Sequence, residues 1–110
     1  MEKFLFVKKE GSCAELRIGD VWVHAELLRP DEDDVLTFGG GEYYINLEKE
    51  ELALFGKSTQ FGEPRLGQIG SFKIPSGIRF FGKPLTFQGW KVTYKDKDGK
   101  VTDLTSLIVE

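Results

Sequence analysis

The sequence predicts a single α+β domain: a mixed β-sheet of five to seven strands, one or two short helices and a C-terminal β-hairpin. Three observations lead there. Short apolar runs recur along the chain, and clusters of Gly, Pro and Asp separate them, the pattern of strands joined by turns. Stretches with good helical propensity are few and short. Near the C-terminus, two extended runs flank an Asp98-Gly99 pair, the signature of a tight hairpin turn. The 110 residues suffice for one core, so residues 1–110 are read as one domain.

The elements follow in order. Residues 4–7 (Phe-Leu-Phe-Val) are apolar throughout, as expected of a central strand. Residues 14–18 alternate with period two, Gly19 and Asp20 turn, and 21–23 resume an extended pattern. The stretch 24–29 favours a helix, but Pro30 limits it to about one turn, because the residue before a proline avoids the helical region. Residues 31–34 are an acidic, solvated loop. Residues 35–38 read as a strand that ends at Gly39, Gly40 and Gly41.

Residues 46–55 admit two readings. Asn46 can cap a helix over 47–55 that stops at Gly56. Alternatively, Tyr43, Ile45 and Leu47 alternate against Tyr44, Asn46 and Glu48, and 52–55 return as a second strand. Pro64 suits the first turn of a short helix over 64–69. Residues 85–95 read as a long strand, 96–99 as a turn, and 100–109 as its partner.

Composition narrows the function. The net charge of −3 argues against a general nucleic-acid binder. Phe80, Phe81, Trp90 and Tyr94 near Lys83 and Lys91 have the makings of a base-stacking platform, but core packing explains such aromatics better. Cys13 is the only cysteine and His24 the only histidine, which excludes an internal disulfide and a multi-histidine metal site within one chain. No apolar run has transmembrane length, and residues 4–7 are too short for a secretory h-region. A cytoplasmic protein without a membrane partner is the expectation.

Glycine clusters mark turns or the close approach of something to the main chain. Gly39-Gly40-Gly41 is followed by Phe55-Gly56-Lys57-Ser58-Thr59-Gln60-Phe61-Gly62. Together they resemble the Janus/Ocnus family, which carries a triple glycine, a hairpin and an aromatic-Gly-x-Ser-x-x-aromatic-Gly loop at this separation. Trp22-Val23-His24-Ala25-Glu26 is similar to the stretch around the family's active-site histidine, and Lys3 stands where the family has a lysine opening its first strand. Trp90-Lys91-Val92-Thr93-Tyr94 resembles its aromatic-x-Val-Thr-aromatic strand. The likeness spans about residues 3–99. It implies a hairpin, 42–47 with 51–55, in place of the helix. Three features depart from it: a shorter segment between His24 and the triple glycine, Arg65 and Leu66 where the family has a further histidine, and an added strand at 101–109.

The family resemblance implies a metal-independent phosphatase acting on phosphohistidine or a related phosphoramidate. His24 is the catalytic residue it implies, and a phosphorylated protein or small phosphorylated molecule the substrate. A neutral imidazole has the lone pair to attack phosphorus or to serve as a base for water. The chemistry calls for no metal or cofactor. N–H groups in a glycine-flanked turn converge into an anion-binding nest, which makes Gly56, Lys57, Ser58, Thr59, Gln60 and Gly62 phosphate-binding candidates. By position in the family, Lys3 and Arg17 join them, Lys as a point charge and Arg as a fork. The second reading is a non-catalytic domain of the same fold that binds phosphate, another anion or a protein partner. The imidazole of a nucleophile is expected to be at least partly exposed.

Overall fold

The unbroken apolar run at residues 4–7 lies in an interior strand of the sheet. The structure, a computed structural model, describes residues 1–30, 35–75, 79–80, 83–84 and 86–109. Strand β1 (Glu2–Lys9) buries Phe4, Leu5, Phe6 and Val7 together, which a strand does only when both of its faces are covered. It lies between β2 (Ala14–Asp20) and β3 (Val35–Asn46), antiparallel to both. With β4 (Glu51–Phe55), β5 (Phe72–Lys73), β8 (Lys91–Lys95) and β9 (Val101–Asp103) they form one sheet in the order β5-β2-β1-β3-β4-β8-β9. The sheet is mixed, because β5 runs parallel to β2 and β8 parallel to β4. Arg79–Phe80 (β6) and Lys83–Pro84 (β7) pair separately.

One face of the sheet carries the core. Phe4, Phe6, Leu16, Tyr43, Ile45, Leu52, Leu54, Val92 and Tyr94 are buried there with Ile69, Phe72, Phe87, Trp90 and Leu104. Their period-two spacing within each strand is the alternation that puts successive side chains on opposite faces. Edge-to-face ring pairs link Phe4 to Phe6 and Phe6 to Phe72. On the other face, Leu5 stands in register with Arg17 on β2 and Gly40 on β3. A single 3₁₀ turn, His24–Leu27, covers that patch.

Several expectations hold and others need correction. The 46–55 stretch is a hairpin and not a helix: β3 runs antiparallel to β4, and Glu50 at φ 52 helps to turn the chain. The strand read at 35–38 does not stop at the triple glycine but runs through it to Asn46. The extended pattern at 21–23 forms no strand, and the helix near Pro64 is one turn, α1 (Leu66–Ile69). The long strand expected at 85–95 begins only at Lys91, since Gly89 at φ 79 belongs to a turn before it; residue 85 lies outside the described residues. Its partner is three residues long, because the chain then enters a 3₁₀ turn, Thr105–Leu107. The acidic stretch 31–34 and Phe81 lie outside the described residues.

The glycines answer to a bulge. Between β1 and β3 the register advances from Leu5↔Gly40 to Val7↔Thr37, so Phe38 and Gly39 together oppose Phe6. Gly39 takes φ +90 there. Strand β4 has ended at Phe55, and the chain segment after the 56–62 loop takes its place beside β3. Gly40 N–H donates to Gly62 O at 3.2 Å, and Arg65 N–H to Phe38 O at 2.9 Å.

Candidate functional site

Three backbone carbonyls press against the triple glycine. A Cβ on Gly39, Gly40 or Gly41 would lie less than 3.0 Å from the oxygen of Glu63, Phe4 or Phe55 respectively. No side chain fits at these positions, and another group occupies the freed space on one face. The His24 ring stands over Gly40, its Cδ2 3.0 Å from where a Cβ would be. Its Nε2 lies 2.8 Å from Gly41 O. A carbonyl oxygen only accepts, so Nε2 carries the hydrogen, and a neutral ring then keeps its lone pair on Nδ1.

The histidine is therefore sunk and not displayed. It is 5% exposed, while Trp22 two residues earlier is 79% exposed. This corrects the expectation of an open imidazole. The missing side chain at Gly40 lets the ring pack down on the strand, and the bond to Gly41 holds it there.

Arg17 stands in the same cross-strand row, beyond Leu5. Its Nε donates to Glu15 Oε1 at 2.9 Å and its NH1 to Leu27 O at 3.0 Å. Leu27 ends the turn that His24 begins, so the buried guanidinium secures that turn from its far end. Lys3 lies on the same face of β1, half-buried, opposite Gly19 and Glu42.

The 56–62 loop is closed on itself. Ser58 N–H donates to Gly62 O at 3.2 Å and Gly62 N–H to Ser58 O at 2.9 Å. Ser58 is 1% exposed, and its Oγ accepts from the N–H groups of Gln60 (3.2 Å) and Phe61 (3.0 Å). In this state, two of the amides expected to face an anion are held by the loop's own hydroxyl. The side chains of Lys57, Thr59 and Gln60 are exposed. Gly56 and Gly62 take φ +76 and +80, and nothing stands within 4 Å of a Cβ on either.

Two of the candidates thus meet on one strand. Gly41 holds His24, and Gly40 binds Gly62 at the end of the loop. Arg17 reaches this corner through Leu27. Sequence reasoning missed the part played by Tyr94, whose hydroxyl donates to Gly56 O at 2.7 Å across 38 positions. Burial, and then the charges of Glu63 and Asp96, hold the Tyr94 phenol above the usual tyrosine range, so it keeps its proton. Period-two spacing from Val92 puts Tyr94 on the core face, but nothing in the sequence pairs it with Gly56. Arg65 donates to Thr37 O at 2.7 Å and lies 5.9 Å from the Phe38 ring centre.

No family model matches the chain, and neither does any curated protein or solved structure. Among the described residues, no helix is long and apolar enough to cross a membrane.

Proposed function

We propose that this domain is a metal-independent hydrolase of the protein-histidine phosphatase type, acting on phosphohistidine or a related phosphoramidate. The observation that carries the reading is the anchoring of His24: its Nε2–H is fixed on Gly41 O, which orients the ring and leaves Nδ1 as the basic nitrogen. Nδ1 attacks phosphorus, the P–N bond of the substrate breaks, and the substrate imidazole leaves with a proton. Water then takes the phosphoryl group from His24, releasing phosphate. The exposed side chains of Lys57, Thr59 and Gln60 offer a cation and polar groups to the phosphoryl oxygens, and Lys3 a second cation. The reading also draws on the ordered likeness to the Janus/Ocnus motifs. Phosphorylated protein or a small phosphorylated molecule is the substrate class, and the cytoplasm the compartment.

The second reading, a non-catalytic anion-binding or interaction domain of the same fold, is favoured by the burial of His24 and by the engagement of Ser58 Oγ with Gln60 and Phe61. Turnover of phosphohistidine peptides, followed by ³¹P NMR with and without chelator, separates the two. The phosphatase reading expects chelator-insensitive release of phosphate that His24→Ala abolishes, with the fold checked by circular dichroism. Undiminished release in that variant overturns it. If the native chain releases nothing, while millimolar phosphate moves the amide signals of Lys57 to Phe61, the binding reading stands in its place.

A further inference from the structure

The mouth of the 56–62 loop is pinned by a long-range side-chain bond. Gly56 is the residue at which the chain leaves β4, with φ +76. Its carbonyl accepts the Tyr94 hydroxyl at 2.7 Å. Tyr94 is poorly placed to move. It is 5% exposed, it sits in β8 in register with Leu54 of β4, and its ring meets Phe4 edge-to-face at 6.4 Å. Phe4 in turn packs under the triple glycine, its Cε2 2.8 Å from where a Cβ on Gly41 would stand. The far end of the loop is tied differently, through main-chain bonds from the N–H groups of Gly40 and Ser58 to Gly62 O.

We infer that Tyr94 is the positioning residue of the 56–62 loop, a latch that fixes the loop's entry over the sheet and so sets where Lys57, Thr59 and Gln60 stand relative to His24. The phenol does this without touching a ligand. Gly56 has no side chain of its own to hold it, and without a Cβ its backbone can take other dihedrals once the bond is lost. The ring packing of Tyr94 belongs to the core, whereas its hydroxyl bonds the loop at Gly56. The consequence for catalysis rests on the phosphatase reading; the consequence for the loop does not.

Tyr94→Phe separates the two roles, because it keeps the ring and removes the donor. Amide hydrogen exchange is the primary readout. At Ser58, Gln60, Phe61 and Gly62, exchange should quicken roughly fivefold to tenfold, the factor one hydrogen bond is worth, and it should stay unchanged in β1. A uniform increase across loop and β1 would mean general destabilisation and would overturn the inference, as would unchanged exchange in the loop. With phosphohistidine peptide, the variant should show a raised KM and a nearly constant kcat. Unchanged KM in an active enzyme would overturn the positioning role. Quickened loop exchange in a protein that never turns over substrate would retire the phosphatase reading and leave the latch in place.

Discussion

The two glycine groups of this chain meet opposite demands. At Gly39, Gly40 and Gly41, three backbone carbonyls and the His24 ring fill the space in which side chains would stand. At Gly56 and Gly62 that space is open, and the constraint is the left-handed backbone, φ +76 and +80. The first group is needed for what comes near it, the second for the path the chain takes. In sequence they look alike. The difference shows that a glycine motif can join two mechanisms, close packing on a strand and a turn beside it.

Substitution by alanine separates the two groups. Gly41→Ala should cost about 3 kcal/mol or more, because the new methyl group meets the main chain at Phe55 O and Gly56 C and the Phe4 ring, and rigid main chain has little room to give. Urea unfolding measures it; a loss below about 1 kcal/mol would show that the strand relaxes easily. Gly56→Ala should cost about 1–2 kcal/mol from its dihedral alone, and Gly56→Asn clearly less, since Asn tolerates this region. Equal losses for the two variants would mean that the limit at Gly56 is steric after all.

Ser58→Ala should remove about 1 kcal/mol by leaving the Gln60 and Phe61 N–H groups without their acceptor. It should not shift the exchange of Gly40, whose bond to Gly62 is main-chain. The last test lies two residues beyond the triple glycine, where side chains return to β3. Burial, and then Glu2 and Asp20, push the Tyr43 phenol up to about 12. The folded state thus holds the proton more tightly than the unfolded chain does. Stability from this group is complete below pH 10 and declines as the pH rises from about 10 through 12. Thermal unfolding should show that decline, and Tyr43→Phe should flatten it.

The sequence by itself determined the parts that local rules govern. The unbroken apolar run from Phe4 to Val7 made a central strand, Pro30 cut the first helix to a turn, and Asp98-Gly99 closed the last hairpin. The order of the motifs also marked His24, the triple glycine and the Ser58 loop as candidates for one site. Only the tertiary structure decided how they meet. Helix and hairpin were equally compatible with residues 46–55, and pairing of β4 with both β3 and β8 selected the hairpin. The bulge at Phe38 and Gly39 is a property of register between strands, which no single strand encodes. The burial of His24 depends on the absence of a side chain at Gly40, and the hold of Tyr94 on Gly56 spans 38 positions. Such contacts follow from where the sheet brings distant segments, and the pattern along any one segment carries no record of them.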